Sequence, residues 1–111
     1  ELMRHIREHL QLDLTQELTL AELAQAHGIC LTALKQDFMR LYGVTPAAYR
    51  RHFRMQQAAQ ALQETEQSIA DIAVMVGYQN PSKFASAFRA ELGLSPAAYR
   101  KKARLFGAKT L

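Results

Sequence analysis

Histidines and one thiol are the side chains of this 111-residue chain whose types and spacing could support catalysis. The stretch HIREH, from His5 to His9, matches H-x-x-E-H, the inverted signature of zinc peptidases. On a helix His5 and His9 share one face, as two ligands must. A catalytic zinc needs a third protein ligand and a pocket, and only His27 and His52 remain as further histidines. Two exposed histidines on an amphipathic helix are therefore the better reading, and no metal is expected. Cys30 is the single cysteine, so it has no partner for an internal disulfide and a reducing, cytoplasmic setting is the simpler expectation. A thiol at a helix start can serve as a nucleophile, but no histidine-plus-carboxylate arrangement accompanies it, and an incidental small residue is the default. No catalytic residue and no cofactor is expected, and the chain reads as a non-enzyme.

The cations carry a clearer signal. Formal net charge is +4 and the pI is near 9.5. Arg50, Arg51 and Arg54 form one cluster, and Arg100, Lys101, Lys102 and Arg104 form another. A high pI with clustered Lys and Arg is a footprint of nucleic-acid binding, weak by itself because basic faces are often just solvated surface. The composition, 49% hydrophobic and 22% charged, is that of a globular chain rather than a disordered one. No run of about 18 apolar residues exists that could cross a membrane, and no membrane partner is expected. No basic stretch followed by an apolar segment marks a secretion signal; because the chain opens at Glu1 without a methionine, an upstream signal stays open.

Each cationic cluster follows one copy of an octapeptide, GVTPAAYR (43–50) and GLSPAAYR (93–100), identical at six of eight positions. The match extends: TLAELAQAHG (19–28) aligns with SIADIAVMVG (68–77) at an offset of 49, which becomes 50 after Gly77. Thr19 with Glu22, and Ser68 with Asp71, have the spacing of a capping box. Leu20, Leu23 and Ala24, and Ile69, Ile72 and Ala73, recur at i, i+3, i+4, which predicts short amphipathic helices. Gly28 and Gly77 suit the position just past a helix end. A second helix then runs to Gly43 or Gly93, and Thr45-Pro46 or Ser95-Pro96 starts another as N-cap plus first-turn proline. Each unit thus reads as a helix-turn-helix. Ahead of them, Leu2, Ile6 and Leu10, flanked by Met3 and Leu14, predict a helix over Leu2–Leu12 that covers the first unit. Between them, Pro46 to about Gln63 should be one uninterrupted helix carrying Tyr49, Phe53, Ala58, Ala59 and Leu62. The expected fold is all-α: subdomain one about 1–45, a linker helix about 46–63, subdomain two about 64–104, and a short basic tail 105–111.

In a helix-turn-helix the second helix enters the major groove and presents its N-terminal part to base edges. In the first unit Leu31, Leu34, Phe38 and Leu41 share one face, which should be the core face. Opposite stand Thr32, Gln36, Met39 and Arg40, with Lys35 on the rim. In the second unit Phe84, Phe88 and Leu92 should face inward and Ser82, Ser86 and Arg89 outward, with Lys83 and Ala85 on the rims. Glutamine suits adenine, lysine suits guanine, and hydroxyls serve several bases or phosphates. Arg40, Arg50, Arg51, Arg54, Arg89, Arg100 and Lys101 are better suited to phosphate than to bases. A solvated helix face is the alternative for any single one of these residues. Equivalent faces in a duplicated unit, each beside a cationic cluster, favour DNA.

The segments LAELAQAHGICLTALKQDFMRLYGVTPAAYRRHFRMQQAAQAL and SIADIAVMVGYQNPSKFASAFRAELGLSPAAYRKKAR closely resemble the DNA-binding domain of AraC/XylS-type transcription regulators, over essentially Leu2 to Arg104. The second carries I-A-x-x-x-G-[FY], then F-x-x-x-F, then G-x-[ST]-P-x-x-[YF]-R, a combination specific to that family. The resemblance implies seven helices, with two helix-turn-helix subdomains joined by a long central helix and two recognition helices entering successive major grooves of duplex DNA. Carried over by position, the base-reading residues are Thr32, Lys35 and Gln36, then Ser82, Lys83 and Ser86. It implies a sequence-specific regulator, with activation the preferred direction, RNA polymerase a candidate second partner, and an effector ligand acting only through a sensing or dimerising domain outside this sequence; a C-terminal fragment of a longer regulator is expected. The rival reading is a helical protein-interaction module. Two departures stand out: Cys30 occupies a position where members usually have serine or a similar cap, and the exposed part of the first recognition helix, where Leu31 and Ala33 are apolar, lacks the bulky Trp or Arg that some relatives use there. Asn80-Pro81, by contrast, is a strong start for the second.

Overall fold

The computed structural model describes residues 1–106, which form seven helices: α1 (Leu2–Gln11), α2 (Leu20–Ala26), α3 (Leu31–Tyr42), α4 (Pro46–Glu64), α5 (Ile69–Met75), α6 (Pro81–Leu92) and α7 (Pro96–Phe106). Among the described residues there is no strand, and no helix is long and apolar enough to cross a membrane. The expected tail at 105–111 starts too early: Leu105 and Phe106 belong to α7, and 107–111 lie outside the described residues. The chain divides into two compact units, Glu1–Phe53 and Arg54–Leu111, and the division falls inside α4.

Helices of seven to twelve residues are marginal alone, so burial must hold them. In the first unit Met3, Ile6 and Leu10 of α1 pack with Leu23 and Ala24 of α2 and Leu34 and Phe38 of α3. Two sequence expectations need correcting here. Met3, not Leu2, is the inward residue of the first turn, because i, i+3, i+7 (Met3, Ile6, Leu10) is the tighter stripe. Leu41 is 56% exposed, because Phe38 already fills the core and the α3 face turns away before the helix ends. In the second unit Met55, Ala58 and Leu62 of α4, Ile72, Ala73 and Val76, and Phe84 and Phe88 of α6 are buried.

The repeat runs deeper than sequence alignment at offsets of 49 and 50 reveals. Met3, Leu10 and Gln11 of α1 have counterparts in Met55, Leu62 and Gln63 of α4, at an offset of 52. Gln11 Nε2 donates to Tyr49 Oη at 2.7 Å, and Gln63 Nε2 donates to Tyr99 Oη at 2.6 Å. Each unit is therefore built from four helical segments, and α4 ends one set and begins the next.

Helix starts follow the capping signals unequally. Thr19 and Glu22 form the full reciprocal capping box, and Ser68 Oγ accepts from the Asp71 amide. Asn80 accepts from the amides of both Ser82 and Lys83. Cys30 is the N-cap of α3 and makes no side-chain cap bond. A hydroxyl there supplies the missing acceptor, so Cys30→Ser is expected to raise unfolding free energy by about 0.5–1 kcal/mol in urea titration.

The histidines of HIREH do not act together. His5 is exposed, whereas His9 Nδ1 lies 3.2 Å from Nε2 of His27, the C-cap of α2, with the rings edge to face at 5.4 Å. Among the described residues, no three His, Cys, Asp or Glu side chains gather as metal ligands would. Burial, and then the nearby His9 and His5, hold the His27 imidazole below the usual 6.5. The unfolded chain therefore takes up this proton at a higher pH than the folded one, and stability falls as pH drops below the unfolded value. The urea midpoint should decline on the acid side of about pH 6.5, and His27→Gln should flatten that decline.

Candidate nucleic-acid interface

The turn that sets each second helix is a Schellman motif, made twice. Gly28 N donates to Gln25 O at 3.1 Å and Ile29 N to Ala24 O at 3.0 Å. Gly77 N donates to Val74 O at 3.0 Å and Tyr78 N to Ala73 O at 2.8 Å. Gly28 and Gly77 sit at φ +71 and +94, a region costly for any residue with a Cβ. Each turn thus releases the chain in a fixed direction two or three residues before α3 or α6. Each of those helices buries two large apolar side chains four residues apart (Leu34 and Phe38, Phe84 and Phe88) and shows its other side to solvent.

That solvent side holds the six residues expected to read bases. Thr32, Lys35 and Gln36 on α3 and Ser82, Lys83 and Ser86 on α6 are all exposed. A shallow open depression runs along α3 between Lys35, Gln36, Met39, Arg40 and Thr45.

The seven residues expected on phosphate separate into two groups. Arg40, Arg51, Arg89 and Lys101 are exposed. Arg40 also touches Asp37 at 3.1 Å, one turn back, but such an exposed pair is weak enough to yield to a phosphate. Arg50 is a correction. It is 8% exposed, and its guanidinium donates to the carbonyls of Leu10 (3.1 Å), Asp13 (3.4 Å) and Gln16 (2.9 Å). The end of α1 leaves the Leu10 carbonyl without an intrahelical donor, and a buried arginine fork can meet it together with the Asp13 and Gln16 carbonyls of the connection that follows. Arg100 does the same in the second unit, donating to Leu62 O at 3.2 Å and Thr65 O at 3.3 Å, half-buried. Arg54 is half-buried, with its guanidinium 5.7 Å from the centre of the Tyr78 ring.

Sequence reading missed the arginine-to-carbonyl clamp because charge clusters do not say which member points inward. The signal was present in the repeat: Leu-Gln occurs at 10–11 and at 62–63, and Tyr-Arg at 49–50 and 99–100. Residues that repeat with their partners are structural pairs.

A helix-turn-helix domain profile matches residues 23–102. The chain belongs to the AraC-type helix-turn-helix family. Family and fold are those of DNA-binding transcription regulators. The chain is 35% identical over 88 residues to the HTH-type transcriptional activator AarP of Providencia stuartii, covering 79% of this chain and 65% of AarP. It spans 34% of another matched activator, so the relatives are longer proteins. The C-terminal domain of AraT, a response regulator from Geobacillus stearothermophilus, shares the fold with a TM-score of 0.87 and 30% identity, over 91% of this chain and 84% of that one. The DNA-binding domain of AdpA, solved in complex with a target DNA, shares the fold with a TM-score of 0.90 at 24% identity, over 97% of each chain.

The buried clamp and the exposed cations should behave oppositely on substitution. Arg50→Ala is expected to lower unfolding free energy by about 2–4 kcal/mol, since it removes a buried side chain and leaves the buried Leu10 carbonyl without this donor. Arg51→Ala should stay within about 0.5 kcal/mol of the parent chain. Urea titration of the two variants checks both.

Proposed function

We propose that this chain is the DNA-reading part of a transcription regulator, with α3 and α6 as its recognition helices, each placed in a major groove. One observation carries the reading: two units with the same Schellman turn present equivalent exposed polar faces, Thr32, Lys35 and Gln36 on one and Ser82, Lys83 and Ser86 on the other. Arg40, Arg51, Arg89 and Lys101 are the cations exposed for phosphate, while Arg50 and Arg100 each bind carbonyls inside their own unit. The DNA complex of the AdpA domain supports the partner, and the activator AarP supports activation as the direction. On this reading the chain catalyses no reaction and works in the cytoplasm, where the DNA is. Effector binding and engagement of RNA polymerase would belong to a longer regulator.

The test is affinity for a labelled duplex pool at increasing salt. Log affinity should fall linearly with log salt concentration as counterions are released. Arg51→Ala and Lys101→Ala should each reduce that slope by about 1 across all sequences. Gln36→Ala should leave the slope alone and change preference at one or two base pairs by about 1–3 kcal/mol. Binding that ignores salt, or no binding, would favour a protein-interaction module instead.

A further inference from the structure

Met39 is an apolar residue in the middle of a polar face. At about 100° per residue it lies within about 20° of Thr32 around the α3 axis, between the directions of Lys35 and Gln36. It is 43% exposed, and the core side of α3 is already filled by Leu34 and Phe38. Packing therefore does not explain it. With a rise of about 1.5 Å per residue, Thr32 to Met39 covers about 10 Å, or roughly three base pairs. The equivalent position of the second unit is Arg89, also exposed, so the duplicated helices differ in chemistry at this point.

From this position we infer that Met39 is a specificity-determining residue that packs its thioether against the C5-methyl group of a thymine in the major groove. The inference rests on the proposed role of α3 as a recognition helix. Within the groove, thymine alone among the four bases presents a methyl group, and apolar side chains read it by contact. An unbranched thioether with several rotatable bonds adapts to that contact better than a stiff side chain. The surroundings complement a duplex: Lys35 and Arg40 beside Met39 in the same open depression bring positive charge, and Gln36 brings a donor–acceptor pair for the neighbouring base.

The decisive experiment removes one methyl group from the DNA. Duplexes selected from a random pool by the parent chain are remade with deoxyuridine in place of each thymine in turn. Their affinities are measured for the parent chain and for Met39→Ala, an exposed substitution that leaves the core intact. Deoxyuridine at one or two positions should weaken parent binding by about fourfold, the worth of one buried methyl. The same replacement should cost Met39→Ala nothing. Deoxyuridine effects that are equal in the two proteins, or absent from both, would overturn the inference while leaving α3 as a recognition helix. Failure of the parent chain to enrich any duplex would overturn the recognition reading and the inference with it.

Discussion

Donors for the carbonyls at helix ends are the constraint on which this structure depends. Seven helices create many ends, and a unit of about fifty residues has little core to spare for unpaired polar groups. The chain meets the need in the same way twice. A Schellman turn closes α2 and α5, and an arginine fork from the following support helix closes α1 and α4. The tyrosine beside each arginine takes a glutamine from the same helix end. These contacts fix the first and last segments of each unit around the second and third. Only then can α3 and α6 hold one face in the core and the other in solvent.

Seen this way, the repeated octapeptide is a joint and a clamp rather than a ligand site. Its glycine stops α3 or α6, its Thr or Ser accepts from the Ala48 or Ala98 amide to start the next helix, and its final Tyr-Arg reaches back to the end of α1 or α4. The division of labour among cations follows. Arginines inside the octapeptide serve the fold, and cations just outside it, Arg51 and Lys101, face solvent. Arg40 and Arg89 lie on α3 and α6 themselves, also exposed.

Much of the fold was legible in the sequence because helix starts and stops are local chemistry. Thr19 with Glu22, Asn80-Pro81 and the glycines at 28 and 77 act within a few residues, and each formed where its pattern placed it. What was not legible depends on distant partners. Arg50 could be assigned to solvent or to carbonyls 34 to 40 residues earlier, and charge counting favours the wrong one. Leu2 against Met3, and Leu41 against solvent, turn on small rotations of a helix that periodicity alone does not resolve. The four-segment repeat escaped alignment because the stretch from Gln11 to Thr19 is three residues longer than that from Gln63 to Ser68, which hides the correspondence of Met3 with Met55. The exposed faces were read correctly as exposed, since polar residues opposite an aromatic stripe have nowhere else to go.

The central claim is that two equivalent faces read two stretches of DNA. Selection of bound duplexes from a random pool tests it most directly, run with the parent chain and with two triple variants. In one, Thr32, Lys35 and Gln36 are all replaced by alanine; in the other, Ser82, Lys83 and Ser86 are. The account predicts two enriched sequence elements in the parent selection, with each triple variant losing a different one. Enrichment of no element, or of elements that survive both triple variants, would contradict it.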